Sequence, residues 1–369
     1  MPFAATSHWN HGDIHMYLKF ILTLAVSFLI FLAGPDLPIK LKLVPTADAR
    51  SLSKVFRQIN PAVVVIVTKE HGHSGLKPGE TAKKGGLGSG VVVSKDGLIM
   101  TASHVVQVAD AVSVYFLDGR SVSAKVVGTS MQADVALLRL ETVPDNLVVA
   151  ELGNSDMMAI GDEVFVVGAP YGIDHTLTVG FLSGRRRPIG ICNQPIPIEF
   201  LQTDAAINVG NSGGPMFSWD GKVIGIVSHI LSQSGGSEGL GFAISINSAK
   251  ELLLNQKSFW IGLETYLVSG PLAKALNVPQ EAGLLIQRVA DNSPAHEMGL
   301  EPSMIPVNIG REKILIGGDI VLEVQGVRVS TKLEDVCQIR DTMGGLHQGG
   351  SLEIKVLRGG KILTLSTAK

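Results

Sequence analysis

The sequence has little charge and few cysteines. Asp, Glu, Lys and Arg make up 17% of its 369 residues, the net charge is −2, and no long run of one sign occurs. An electrostatic footprint for nucleic acid is therefore not expected. The two cysteines, Cys192 and Cys337, are far apart and lack the paired spacing of zinc sites. A disulfide scaffold is excluded, and we interpret both cysteines as structurally incidental.

Aromatic residues are also scarce, at 5%, whereas hydrophobic residues reach 45%. That much apolar material with so little charge is typical of globular chains and excludes extensive disorder. Glycine is abundant, with 42 residues and no collagen period. Many tight turns are therefore expected, which favours a turn-rich β protein.

The longest apolar stretch lies near the amino terminus, over residues 20–34. Its length fits either a signal peptide or, counted from Met16 with Lys19 snorkelling, an uncleaved membrane anchor. Both interpretations stay open. Residues 1–50 are accordingly predicted to form an anchor or signal segment plus linker, and the remainder is expected to be exported.

Short β-type runs separated by Gly, Asp and Asn begin after residue 51, and a helical segment over residues 248–255 closes this region. Six or more such strands predict an antiparallel barrel or sandwich. A second unit of about 110 residues starts near Trp260, combines strands with a helix over residues 332–343, and is predicted to be a small α+β module. The strand runs of the first region cover residues 62–67, 90–94, 113–116, 135–140, 163–167 and 222–227, with Asp-Gly hairpin turns at 96–97, 118–119 and 220–221; those of the second cover 282–287, 319–324 and 352–357.

Three segments carry residues suited to nucleophilic catalysis. His104 follows an apolar strand, and Asp134 stands at a strand entrance. Either residue alone would be interpreted as structural. Ser212 lies in the glycine-rich turn GNSGGP, where glycines permit a close substrate approach and leave backbone N–H groups able to bind an oxyanion.

The order His, Asp, Ser on a β-rich chain is that of chymotrypsin-like proteases. The segments TASHVV, ADVALL and LQTDAAINVGNSGGPMF, with Gly88-Ser89-Gly90 upstream, closely resemble the HtrA (Deg) family of serine proteases. The resemblance covers residues 51–369. It implies a mainly β fold: a chymotrypsin-like double β-barrel protease domain over residues 51–256, followed by a small α+β PDZ domain over residues 257–369.

Carried over by position, the resemblance makes Ser212 the nucleophile, His104 the general base and Asp134 the residue that orients it. The N–H groups of Gly210 and Ser212 would form the oxyanion hole, and neither a metal nor another cofactor is required. One departure is Val209, where the family commonly has proline and where the resting geometry of the turn could change.

The resemblance also bounds substrate preference. Ala206 would lie near the floor of the S1 pocket, which favours small or medium aliphatic P1 residues because no carboxylate is present to bind Lys or Arg. The segment Ile226, Val227 and Ser228 would supply the strand edge that pairs with extended substrate.

Regulation by loop rearrangement is expected, because Asn211 replaces the aspartate that pairs with a freed amino terminus in chymotrypsin-like zymogens. Candidate switch loops cover residues 162–176, with Tyr171, then 185–198 and 229–240. The arginines at 185–187 are either a solvated loop or a contact with the second domain.

The second unit resembles the PDZ domains of HtrA proteases. The segment Trp260, Ile261, Gly262 and Leu263 matches the carboxylate-binding loop, and residues 319–326 match the following strand and turn. A peptide carboxy terminus would bind between the strand after Gly262 and the 332–343 helix. Residues 301–316 exceed the family norm and suggest an inserted loop.

We therefore interpret the chain as a periplasmic serine endopeptidase of envelope protein quality control or stress sensing, anchored to the inner membrane or soluble after signal cleavage. Its expected partners are unfolded or regulatory protein substrates, peptide carboxy termini at the PDZ domain, the membrane, and two further copies in a homotrimer formed through residues 51–60. The alternative is a catalytically silent chaperone or peptide-binding protein on the same fold.

Overall fold

The computed structural model describes residues 51–72, 82–169, 175–188, 198–232, 234–256, 258–310, 312–344 and 350–367. The apolar segment 20–34 lies outside these residues. Within the described ranges, no helix is long and apolar enough to cross a membrane.

Two closed barrels of six antiparallel strands form the first part of the chain. They are joined in the orders β1-β2-β3-β6-β5-β4 and β10-β11-β12-β9-β8-β7. The strands of the first barrel are β1 (Val63–Gly72), β2 (Ala82–Val92), β3 (Leu98–Thr101), β4 (Ala111–Tyr115), β5 (Ser121–Ser130) and β6 (Val135–Leu140); those of the second are β7 (Glu163–Gly168), β8 (Thr176–Arg186), β9 (Phe200–Thr203), β10 (Pro215–Ser218), β11 (Val223–Ile230) and β12 (Gly241–Ser245).

The six strand runs predicted for this region are confirmed, as β1, β2, β4, β6, β7 and β11. Their side chains fill the barrels, and Ile66, Leu138 and Ile226 are completely buried. The three Asp-Gly turns are confirmed as well, because each of their glycines has a φ of +82° or +85°. Left-handed backbone of this kind suits glycine, which lacks a Cβ.

A separate sheet follows the barrels, in the order β13-β14-β17-β19-β20 with β18 paired to β17. Residues 301–316, expected to be an inserted loop, contain a two-stranded hairpin, in which Ile305 pairs with Ile316. The strands are β13 (Leu263–Ser269), β14 (Ala282–Val289), β15 (Ile305–Ile309), β16 (Glu312–Ile316), β17 (Ile320–Val324), β18 (Val327–Arg328), β19 (Glu353–Arg358) and β20 (Lys361–Ser366).

The helices are few and short. The helix predicted over residues 248–255 is confirmed as α3 and the π-helical turn that follows it, and the one predicted over 332–343 as α6. The α-helices are α1 (Leu52–Ile59), α2 (Ser103–Val106), α3 (Ile246–Lys250), α4 (Gly270–Ala275), α5 (Pro294–Glu297) and α6 (Leu333–Gly344), with a 3-10 turn at Asn60–Ala62, another at Ser155–Met157 and the π-helical turn at Glu251–Asn255.

Hydrogen bonds join the first barrel to the third sheet just after α2. The indole Nε1 of Trp260 donates to the backbone C=O of Gln107 at 3.0 Å, and the Gln107 side chain donates to the C=O of Leu263 at 3.0 Å. The N–H of Asp291 donates to Asp110 Oδ1 at 2.7 Å. Residues 107–110 therefore connect the first barrel with the second unit.

The fold class is confirmed as mainly β, with two six-stranded barrels followed by a small α+β unit. The interpretation of both cysteines as incidental is wrong for Cys337, which lies in α6 and is disulfide-bonded. The only other cysteine of the sequence, Cys192, lies outside the described residues.

Candidate active site

His104 is held on α2, a single helical turn that directly follows β3. Ser103, Val105 and Val106 are buried, so the turn is fixed on its apolar side. The His104 side chain is 50% exposed. Its ring is therefore available to solvent and to a substrate.

Asp134 lies beside this histidine at the entrance of β6. Its backbone φ is +50°, a strained conformation for a residue other than glycine. Its Oδ2 lies 2.8 Å from His104 Nδ1, and its Oδ1 accepts the backbone N–H of His104 at 3.0 Å. A further bond comes from Ser228 Oγ, which donates to Oδ2 at 2.6 Å.

These contacts determine the charge of the carboxylate. Burial alone would raise the pKa of Asp134, but the hydrogen bond and charge of His104 and the bond from Ser228 bring it below its ordinary value. Asp134 is therefore ionised at neutral pH. It can fix the His104 ring with its proton on Nδ1 and stabilise an imidazolium.

Ser212 lies in a turn that only glycine can complete. Gly213 has φ +81°, and a Cβ at this residue would stand 2.2 Å from Thr101 Oγ1. The C=O of Ser212 accepts the N–H of Ser89 at 2.8 Å. Thus the serine turn lies against the end of β3, immediately before the helical turn that bears His104.

Two backbone N–H groups of this turn are unengaged. The N–H of Asn211 donates to Asn208 at 3.0 Å. Within the described ranges, the N–H groups of Gly210 and Ser212 donate no hydrogen bond, and the Ser212 hydroxyl makes none to His104. Both N–H groups can therefore donate hydrogen bonds to an oxyanion. Val209, beside them, is 62% exposed.

Ala206 is exposed near this turn, and its C=O lies 3.5 Å from the Asn211 side-chain amide that donates to it. The Asn211 Oδ1, by contrast, is buried and unpartnered within the described chain. The expected preference for aliphatic P1 residues at Ala206 stays a prediction.

The expected substrate edge is shifted along β11. Ile226 pairs with both Pro215 and Ile244, while Val227 exchanges backbone hydrogen bonds with Gly213 and Gly214. Both residues are thus paired on each side, which differs from the expectation that they form the open edge. Among the residues that the structure describes, the edge of β11 that faces away from β12 has no strand partner from Ser228 onward.

Sequence reasoning missed two contacts of the site. Ser228 was singled out only as a substrate contact, although its hydroxyl binds Asp134, and His229 was not singled out at all. His229 Nδ1 lies 2.9 Å from Ser228 Oγ. The available signal was the polar pair Ser228 and His229, which follows the apolar residues 223–227 within β11.

The structure describes only parts of the candidate switch loops, and Tyr171 is not among the described residues. Of the arginines at 185–187, Arg186 and Arg187 are exposed, and within the described ranges all three bind residues of the second barrel and none contacts the second unit. Arg185 and Arg187 bind Glu199 at 2.6 and 3.1 Å, and Arg186 Nη2 donates to Gln202 at 2.9 Å. They join β8 to the start of β9, within the second barrel.

The predicted carboxylate loop is built around Gly262. It has φ +76°, and a Cβ there would stand 2.2 Å from the Cβ of Ser293. The C=O groups of Ile261 and Gly262 accept N–H groups of Ala295 and Ala290 at 3.1 and 2.9 Å. The loop is thereby fixed before β13, which is an edge strand.

The α6 helix supplies an apolar wall to the same unit. Ile339 and Met343 pack against the core that contains Leu263, whereas Leu333 and Val336 are exposed. No three His, Cys, Asp or Glu side chains in the described ranges could together hold a metal ion.

Two protein-family profiles match the sequence: a trypsin-like peptidase domain over residues 88–226 and a PDZ domain over residues 261–368. Curated relatives named "Probable periplasmic serine endoprotease DegP-like" include one from Halomonas elongata, 37% identical over 289 residues, which are 77% of this chain and 56% of the relative. Another, from Pseudomonas fulva, is 37% identical over 67% of this chain and 52% of its own. The chain spans about half the length of these relatives.

Solved structures of similar proteins include "HtrA-type protease AlgW with tripeptide", 30% identical with a TM-score of 0.50, covering 86% of this chain and 96% of that one. The same protease with a decapeptide is 29% identical with a TM-score of 0.50, covering 86% and 97%.

Proposed function

The chain belongs to the HtrA-type serine proteases, with a trypsin-like peptidase domain followed by one PDZ domain, and from this premise we propose that it is a periplasmic serine endoprotease that cleaves unfolded or regulatory proteins. The observation that carries the proposal is the ionised Asp134 bound to His104 beside a serine turn with two unengaged N–H groups. The alternative, a silent chaperone, has no chemical use for this arrangement.

In the proposed reaction, Ser212 Oγ attacks the substrate carbonyl while His104 Nε2 takes its proton. Asp134 keeps the His104 proton on Nδ1 and stabilises the imidazolium that forms. His104 then protonates the leaving amine. Water hydrolyses the resulting acyl-enzyme by the same two proton transfers in reverse roles.

The N–H groups of Gly210 and Ser212 would bind the oxyanion of the tetrahedral intermediate. Removing one donor from such a site typically lowers turnover about 100- to 1000-fold. The free edge of β11 from Ser228 onward would pair with extended substrate, and Ala206 would admit a small or medium aliphatic P1 side chain.

The test is hydrolysis of casein by the purified chain beside Ser212→Ala. Wild-type turnover with loss in the variant supports the proposal. Equal turnover by both proteins would falsify the nucleophile assignment, and no turnover by either would favour the silent chaperone.

We also propose that a peptide carboxy terminus competes with Gln107 for the PDZ domain. The N–H of Ala290 donates to the C=O of Gly262 at 2.9 Å. Because neighbouring residues of a strand point their C=O groups to opposite edges, the C=O of Leu263 points to the free edge of β13. Gln107 Nε2 occupies that C=O at 3.0 Å.

A peptide added to this edge would use the same C=O, so it would have to displace Gln107 from Leu263. Displacement would reach the active site directly, since Gln107 adjoins the helical turn that bears His104. Peptides are therefore expected to alter proteolysis.

Peptide affinity of the full chain tests this competition. Gln107→Ala should bind a hydrophobic carboxy-terminal peptide about fivefold more tightly, as one competing hydrogen bond is lost. Gln58→Ala, an exposed glutamine on α1, serves as the control. Unchanged affinity in Gln107→Ala would argue against competition, and equal binding of an amidated peptide would argue against carboxylate capture.

We propose in addition that the protein has a stress-sensing role. It would be tethered to the membrane through residues 20–34 and would form a homotrimer through residues 51–60. Mass spectrometry of the mature amino terminus in cell envelopes distinguishes the anchor from a cleaved signal. Sedimentation of the purified chain tests the trimer.

A further inference from the structure

His229 stands at the end of a hydrogen-bond chain that leads to the triad. Its Nδ1 lies 2.9 Å from Ser228 Oγ, and Ser228 Oγ donates to Asp134 Oδ2 at 2.6 Å. The same Oδ2 lies 2.8 Å from His104 Nδ1. Two imidazole rings are thus linked to one carboxylate, one directly and one through a hydroxyl.

The donor and acceptor in each of these hydrogen bonds follow from the number of protons available. A serine hydroxyl has one hydrogen, and Ser228 uses it on the ionised Asp134. His229 Nδ1 must therefore donate to Ser228 Oγ. Partial burial lowers the pKa of His229 below its ordinary value, and repulsion from His104 lowers it as well. The attraction of Asp134 acts in the opposite direction but is outweighed. The neutral ring thus carries its single proton on Nδ1.

Two aromatic side chains hold the His229 ring in this orientation. Phe242 stacks on it at a centroid distance of 5.0 Å and an interplanar angle of 17°. Phe200 meets it edge-on at 5.5 Å and 72°. The ring is therefore aimed at Ser228 although its residue is exposed. Neither neighbour offers a competing hydrogen-bond partner.

We propose that His229 is a positioning residue, whose Nδ1–H orients Ser228 and thereby holds the Asp134 carboxylate in place for His104. A donor to Ser228 polarises its O–H and strengthens the bond to Asp134. The inference rests on the proposed protease function.

Two variants separate the donor from the aromatic ring. His229→Phe keeps a stacking ring without a donor, whereas His229→Asn places a side-chain N–H near the position of Nδ1 without the ring. The readout is the rate at which diisopropyl fluorophosphate modifies Ser212 in the full-length chain. This reagent is too small to extend along β11, so the rate does not depend on contacts of an extended substrate.

In that reaction Ser212 Oγ bonds to phosphorus, fluoride leaves with its electron pair, and the Ser212 proton passes to His104 and then to solvent. We expect His229→Phe to react about fivefold more slowly, from the loss of one hydrogen bond. We expect His229→Asn to stay within about twofold of wild type.

A Ser228→Ala background provides the control. There His229→Phe should cause no further change, because the link to Asp134 is already absent. Thermal unfolding checks that each variant is folded. A wild-type rate in folded His229→Phe, an equally slow His229→Asn, or an undiminished effect in Ser228→Ala would each overturn the inference. If wild-type Ser212 does not react at all, the proposed protease function fails instead.

Discussion

The ion-pair cluster around Glu199 should contribute strongly to the stability of the second barrel. The Glu199 side chain is 8% exposed and binds Arg185 through two bonds, of 3.0 and 2.6 Å. Arg185 also donates to the C=O groups of Ser155 and Met158 at 3.1 and 2.7 Å. Arg187 adds a more exposed contact at 3.1 Å. Three stretches of chain therefore meet at the Arg185 guanidinium.

Breaking a buried ion pair by removing one partner costs about 3–5 kcal/mol. Arg185→Ala should fall near the lower end, at about 3 kcal/mol, because Arg187 still compensates Glu199. Glu199→Gln keeps the shape and one acceptor, so about 2 kcal/mol is expected. The double variant should lose less than the sum of the two, since both changes remove the same interaction.

The assay is urea unfolding followed by the fluorescence of Trp219, which packs edge-on against Phe165 in the same barrel at 6.4 Å. Burial raises the pKa of Glu199, but the hydrogen bonds and charges of Arg185 and Arg187 outweigh burial and bring the pKa below the ordinary glutamate value of 4.5. Its contribution is thus complete above pH 4.5 and is lost as the pH falls through the lower folded value.

The stability difference between wild type and Glu199→Gln should accordingly shrink below pH 4.5. Losses under about 0.5 kcal/mol, typical of a surface pair, would refute the reasoning, as would a difference that is constant with pH. Lys125→Ala removes an exposed pair with Glu141 and serves as the control, with an expected change within about 0.5 kcal/mol.

Three further substitutions test the site. Asp134→Asn should lower casein turnover by about 10⁴-fold, as in the serine-protease precedent, without changing peptide affinity of the PDZ domain; equal turnover would remove Asp134 from the triad. Gly213→Ala should abolish turnover and lower the melting temperature, because its Cβ would stand 2.2 Å from Thr101 Oγ1; an active, stable variant would contradict this. Gly262→Ala should abolish peptide binding measured by fluorescence anisotropy, since its Cβ meets Ser293 at 2.2 Å, and unchanged affinity would contradict the loop assignment.

The fold could be predicted where apolar runs end in unambiguous turn residues. β6 and β11 are long runs of buried β-formers, and the Asp-Gly pairs supply the turns. β8 was missed because two of its three buried positions are glycines, Gly180 and Gly184, and the residues between the buried positions are exposed. β10 was missed because it has four residues and follows the serine turn without a break. Pairing with neighbouring strands, which the local sequence does not report, decides both cases.

The motif positions of the site lie near one another, yet their supporting contacts came only from the structure. His104, Asp134 and the turn of Ser212 are recognisable because catalysis restricts their neighbours. Ser228 binds Asp134 although the two residues are 94 positions apart in the sequence, and His229 reaches Asp134 only through Ser228. Such a contact depends on how the two barrels face each other, for which a single sequence carries no periodic signal.

Contacts at Ser228 and Gln107 restrain Asp134 and the helical turn that bears His104, respectively. Asp134 receives the bond of Ser228 from the second barrel, while Gln107 extends to Leu263 of the PDZ domain. With only four residues, α2 cannot absorb a displacement at Gln107 by bending along its length. In the proposed competition, a peptide that removes Gln107 from Leu263 would change the restraint on His104, whereas the Ser228 contact would hold Asp134 in place.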